Sequence, residues 1–197
     1  MSVGKPILAL DVGFAHTGYV VARQEIWPWD GDWAFLEIGC IETEQSAKKR
    51  EVRAADDRAR RAAEMYRGIV NVARRHGVVA VLVELPHGGA QSARAASAMA
   101  AAAAIAACAV EALGVFHEWY TPDAVKVAAC GRKNASKDEV MDAARKRWPD
   151  APWPTTKGRL EHAADAAFVL RAAEGGVAVR LARGMIEPAT SPTPGTY

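Results

Sequence analysis

The sequence has no marked excess of either charge. Lys and Arg number 25 against 23 Asp and Glu, for a formal net charge of +2. Net charge therefore excludes neither a nucleic acid nor a small molecule as ligand, and any basic surface must be local. Cysteine is scarce. Cys40, Cys108 and Cys130 are far apart and form no CxxC pair. This argues against a disulfide framework or a cysteine zinc site, and reduced thiols fit a cytoplasmic protein. The N-terminal stretch has one Lys and then a short apolar run that stops at Asp11, which does not read as a signal peptide. No membrane association is expected. The longest uncharged stretch lies between Arg94 and Glu111 and is mostly alanine. It falls short of the roughly 20 strongly apolar residues that a span needs, and reads as a buried helix of a soluble protein. No internal repeat is visible.

What is present suits one globular domain. Half of the 197 residues are hydrophobic and 24% are charged. Residues 1–176 read as the domain, and 177–197 as a partly disordered tail. Residues 7–10 form a short apolar run of buried-strand type, ending at Asp11. A second strand is expected at 17–22. A loop with Trp27 and Trp29 follows, then an alternating strand at 33–41, the three forming an antiparallel meander. The period then changes. Val52, Ala55, Ala59, Ala62, Tyr66, Ile69, Val70 and Ala73 predict an amphipathic helix over 48–76, stopped by Gly77. Arg53, Arg58, Arg60, Arg61, Arg67 and Arg74 fall on its outer face. A β-branched run at 78–83 predicts a central strand ending at Glu84. An alanine-rich helix follows over 91–113, then a strand at 115–120. Thr121-Pro122 starts a further helix, and Ser136 with Glu139 forms a capping box for a helix over 137–147. The last expected helix is 160–173. Fold class is thus α/β, a mixed five-stranded sheet with the first three strands antiparallel and helices on both faces.

Three carboxylates sit at telling places. Asp11 and Glu84 end strands, and Asp165 lies within an otherwise apolar helix, one turn after His162. Each has an ordinary alternative: a turn-forming Asp, a loop-capping Glu, a salt-bridged helix residue, a packing His. Jointly they point to one site, because buried acids are costly unless compensated and strand carboxyl ends are where ligands bind. His162 and Asp165 are i, i+3, and Glu161 and Asp165 are i, i+4, so each pair shares a helix face. An oxygen-rich set with at most one imidazole suits Mg²⁺ or Mn²⁺ over zinc. Two such ions roughly 4 Å apart perform in-line phosphodiester hydrolysis.

The run Leu8-Ala9-Leu10-Asp11-Val12-Gly13, followed by Thr17-Gly18-Tyr19, resembles the opening of RuvC-like Holliday-junction resolvases of the ribonuclease H-like superfamily. That family usually has D-P-G there, and Val12 replaces the proline. Val81-Leu82-Val83-Glu84 resembles its second acidic strand. Residues 122–140, PDAVKVAACGRKNASKDEV, resemble its P…VK…G…A.K..V segment. Glu161-His162-Ala163-Ala164-Asp165-Ala166 resembles its last helix. The resemblance spans about residues 5–174. It implies that Asp11, Glu84, His162 and Asp165 bind two Mg²⁺ ions, with Mn²⁺ able to substitute. Lys126 and Lys137 would sit near the cleaved phosphate. It further implies a homodimer that nicks branched DNA symmetrically, leaving 5′-phosphate and 3′-hydroxyl ends.

Departures leave alternatives open. The family often has an aromatic wedge after the second acid, where this chain has Pro86-His87-Gly88-Gly89. His87 is the nearest stacking candidate, with a plain loop residue as its alternative. A weaker wedge leaves room for an enzyme of flaps or forks. An ATP-binding or non-catalytic relative is the reading from another class. Arg132 and Lys133 with Lys137 are the candidate DNA contacts of the 131–137 loop, and Lys48-Lys49-Arg50 is a further basic run. For the arginines between 53 and 75 a solvated helix face is the ordinary explanation.

Overall fold

The computed structural model describes residues 4–24, 33–47, 52–86 and 92–185. Trp27, Trp29, Lys48, Lys49, Arg50 and His87 lie outside them. Five strands form one sheet: β1 (Ile7–Asp11), β2 (His16–Gln24), β3 (Trp33–Glu42), β4 (Ala80–Glu84) and β5 (Phe116–Tyr120), in the order β3-β2-β1-β4-β5. β1 pairs antiparallel with β2, and β2 with β3, whereas β1–β4 and β4–β5 are parallel. This is the expected mixed sheet. Its centre is apolar on both faces, since every residue from Ile7 to Leu10 and from Ala80 to Val83 is fully buried.

Alternation along the strands divides the core in two. Leu8, Leu10, Val81 and Val83 face α1 (Ala54–His76) and α2 (Ala93–Leu113). Ile7, Ala9, Ala80 and Leu82 face the other layer. That layer comprises α3 (Pro122–Cys130), α4 (Lys137–Arg147), α5 (Lys157–Ala172) and α6 (Val177–Ala182). The capping chemistry read from sequence is present. Thr121 accepts from Ala124 N, and Ser136 and Glu139 form a reciprocal capping box.

Three expectations need correction. First, residues 177–182 form a helix packed into the core rather than the start of a tail. Ala178, Val179, Leu181 and Ala182 of α6 are buried, and Glu118 accepts hydrogen bonds from Val177 N and Ala178 N. A six-residue helix after Gly175-Gly176 is too short for periodicity to reveal. Second, α1 starts at Ala54, and its buried stripe is Arg61, Met65, Ile69, Val70, Val72 and Ala73. Ala55 and Ala59 are exposed and Arg61 is buried, the reverse of the expected pattern. Third, α2 is only partly covered, with Ala102, Ala106, Ala109 and Val110 as its buried residues. By length and composition α2 is the one helix among the described residues apolar enough to cross a membrane. It packs against α1 and the sheet, and its apolarity comes mainly from alanine.

Polar contacts fasten the sheet to its helices. Burial alone would raise the Glu37 carboxyl. Hydrogen bonds from Arg75, His76 and Tyr19 instead bring it down to about 2, tying β2 and β3 to the end of α1. Trp33 is buried in the α5-side core, which is a packing role. On the same side, Gly18 lets α5 lie flat on β2. A Cβ at Gly18 would overlap the backbone carbonyl of His162. Gly18→Ala is therefore expected to destabilise the chain by about 1–3 kcal/mol through forced displacement of α5. Urea unfolding measures this, and an unchanged midpoint would mean that α5 does not sit this close.

Candidate active site

The parallel register places Asp11 directly beside Glu84 at the carboxyl ends of β1 and β4. Both residues follow the alternation onto the α5 side of the sheet. α5 brings His162 and Asp165 to the same point. Nδ1 of His162 donates to Oδ2 of Asp11 at 2.6 Å. Four side chains from three elements are thus brought close to one another.

The electrostatics of this group are strained. Glu84 is 7% exposed, and its Oε2 is buried without a hydrogen-bond partner among the described residues. Burial pushes its carboxyl far above the usual carboxylate range. The charges of Asp11 and Asp165 push it further, against the pull of Lys126 and Lys137. Asp165 moves the same way, through burial first and then repulsion by Asp11. His162 is raised chiefly by its bond to Asp11, so its imidazolium is favoured there. An orphaned carboxylate oxygen among mutually repelling hard oxygens is the donor chemistry that fits a divalent cation.

The two lysines reach this group electrostatically. Lys126 of α3 and Lys137 of α4 both act on Glu84. Lys137 is also ion-paired with Glu161, so Glu161 is engaged at the rim. Arg132 and Lys133 are held elsewhere: Arg132 pairs with Glu139 and bonds Asn134, and Lys133 lies 3.4 Å from Asp123.

His16 and its neighbours were not anticipated from sequence. Its ring stacks on that of His162, with centroids 5.6 Å apart. His16, Cys40 and Glu42 place one potential ligand atom each within 4.8 Å of one another. Arg159 already binds both oxygens of Glu42, at 2.9 and 2.5 Å. The only sequence signal for this trio is cross-strand pairing, since His16 lies opposite Glu42 and Gly18 opposite Cys40.

The family profile described as crossover junction endodeoxyribonuclease RuvC matches residues 7–148. The chain belongs to the RuvC family. It is accordingly a crossover junction endodeoxyribonuclease by family. The match ends before α5, so the convergence of His162 and Asp165 on Asp11 and Glu84 is known from geometry. Solved structures extend the likeness in fold. Thermus thermophilus RuvC is 24% identical with a TM-score of 0.62, over 86% of this chain and 96% of that one. T. thermophilus RuvC in complex with a Holliday junction substrate is 23% identical, with a TM-score of 0.61 over 85% and 95%. The yeast mitochondrial Holliday junction resolvase Ydc2 is 12% identical, with a TM-score of 0.59 over 92% and 83%. These likenesses give the RuvC-type, ribonuclease H-like sheet. No curated protein matches the chain in sequence.

The raised carboxyls of Glu84 and Asp165 make stability depend on pH. Glu84 and Asp165 hold protons in the folded chain at pH values where the unfolded chain has released them. The folded state then binds more protons, and stability falls as pH rises from the ordinary carboxylate range through neutrality. In EDTA, unfolding free energy is expected to drop on the order of 2 kcal/mol between about pH 5 and pH 8. Added Mg²⁺ should reverse most of that drop. A profile flat with pH, or unmoved by Mg²⁺, would contradict the clustering.

Proposed function

We propose that this RuvC-family enzyme is a Mg²⁺-dependent, structure-selective endonuclease that resolves four-way DNA junctions by paired symmetric nicks. The observation that carries this reading is the convergence of Asp11, Glu84, His162 and Asp165 at the carboxyl end of β1 and β4. Asp11, Glu84 and Asp165 would hold two Mg²⁺ ions, or Mn²⁺ in their stead, with His162 completing the set. When bound, these ions supply an activated water and stabilisation of the leaving 3′-oxygen, giving 5′-phosphate and 3′-hydroxyl products.

The chain's own groups have separable tasks. His162 orients the Asp11 carboxylate through its Nδ1 hydrogen bond. Lys126 and Lys137 supply positive charge beside the acids, where a DNA phosphate would add negative charge. Burial of Glu84 keeps the site low in dielectric, which strengthens each of these interactions. Arg132 and Lys133, on the exposed 131–137 loop, would contact the DNA backbone by exchanging their carboxylate partners for phosphates. His87 is the residue of this chain nearest in sequence to the family's wedge position. A second copy would give the two active sites that a twofold junction requires. The partly uncovered alanine face of α2 suits close helix approach between copies. A cytoplasmic location accords with the three free cysteines.

Flap and fork cleavage is the second reading, favoured by the absence of Phe, Tyr or Trp from residues 85–91. A panel of labelled junction, flap and fork substrates at fixed salt distinguishes the two. Junction cleavage well ahead of the others is expected, and equal rates would favour the broader enzyme. Asp11→Asn, Glu84→Gln and Asp165→Asn should each cut junction cleavage by about three orders of magnitude or more. Junction binding in Ca²⁺ should persist in all three. Cleavage at the parent rate by any of them would remove that residue from the mechanism.

A further inference from the structure

A cavity of about 640 Å³ opens on the opposite side of the same sheet edge. Val12 and Gly13, just after Asp11, line it, as does Pro86, two residues after Glu84. Val12 and Phe14 belong to the α1–α2 side of the core, whereas the acids face α5. A strand running over the carboxyl edge of the sheet from the acidic site therefore arrives at this cavity.

Its lining combines two chemistries. The walls include apolar Phe14, Ala98 and Met99. Arg58, Arg61 and Arg94 line it as well, against a single acid among the described residues, Asp57, which is already bound to Arg60 and to Ser46 N. Arg61 is unusual in being only 8% exposed. Its guanidinium lies 4.7 Å from the centre of the Phe14 ring, and its Nε donates to Thr43 Oγ1. Thr43 in turn donates to the Phe14 carbonyl at 2.6 Å. Phe14, Thr43 and Arg61 thus form a fixed platform. Arg58 is 5.6 Å from the same ring and bridges α1 to α2 through the carbonyl and hydroxyl of Ser97. The start of α1 also lines the cavity at Ala54, and no side chain caps that helix end. Its backbone N–H groups add to the positive potential.

An apolar wall beside fixed cations matches neither a bare ion nor a purely apolar ligand. It matches a nucleotide unit, whose base stacks on aromatic or guanidinium planes and whose phosphate pairs with arginine. The volume falls within the range of small-molecule sites. We propose that this cavity receives one unpaired nucleotide of the DNA strand that continues from the cleavage site. The base lies against the Arg61–Phe14 platform and the phosphate beside Arg58 and Arg94. This rests on the nuclease reading above and gives it a residue-level basis for selecting DNA opened at a branch.

The test uses the full chain and a four-way junction in Ca²⁺, with cleavage in Mg²⁺ measured in parallel. Arg58→Ala and Arg94→Ala together are expected to weaken junction binding about tenfold or more. The slope of log affinity against log salt should flatten by about one for each arginine removed. A single abasic nucleotide is then walked through the positions beside the branch. At one position it should weaken wild-type binding about tenfold, and most of that loss should vanish in the double variant. Arg94 is exposed, so its variant alone keeps the test valid if loss of the Arg58–Ser97 bridge disturbs packing. Wild-type affinity and salt slope in these variants would overturn the proposal. Weakened variants with no sensitive abasic position would overturn the seating of a base. Failure of the wild-type chain to cut any branched DNA would instead overturn the nuclease reading itself.

Discussion

The structure depends on a repulsion that the fold imposes rather than avoids. Parallel pairing of β1 and β4 puts two acids side by side at the end of a sheet buried on both faces. α5 adds a third. Glu84 and Asp165 are desolvated and face the charge of Asp11, and both effects favour their protonated forms. A protein gains nothing in stability from such an arrangement. It becomes intelligible when charge is supplied from outside, by hard cations between the acids and by a phosphate that those cations attract.

The surrounding elements are fitted to that cluster. Gly18 gives up its side chain so that α5 can approach β2 and present His162 to Asp11. Tyr19, the next residue, faces the opposite layer and helps to hold Glu37 beside Arg75 and His76. α3 and α4 carry Lys126 and Lys137 to the same end of the sheet, and Glu161 holds Lys137 at the rim. On the far side of the sheet, Thr43 and Phe14 fix Arg61 in the wall of the arginine-lined cavity. The carboxyl edge thus has an acidic side and a basic side. A polyanion carrying both phosphates and exposed bases can satisfy the two together.

Much of this was legible in the amino-acid order because the signals are local. A short apolar run marked β1 and a β-branched run marked β4, and an acid stood at the end of each. Thr121, Ser136 and Glu139 announced helix starts through side-chain to backbone bonds that span only three residues. What escaped was set by tertiary contact. Arg61 reads as solvent-facing by charge, yet Phe14 and Thr43 create a place for its guanidinium. The apolar stripe of α1 was misplaced for the same reason, since alanine fits either face and Ala55 and Ala59 proved exposed. α6 is too short to show a period and is defined by its packing against the sheet. The stack of His16 on His162 joins residues far apart in sequence.

The most direct measurement is the location of bound metal. Crystals grown with Mn²⁺ give anomalous scattering that marks the ions independently of any assumed chemistry. The account predicts two peaks about 4 Å apart between the carboxylates of Asp11, Glu84 and Asp165. Density confined to His16, Cys40 and Glu42, or an acidic cluster that stays empty at saturating Mn²⁺, would contradict it.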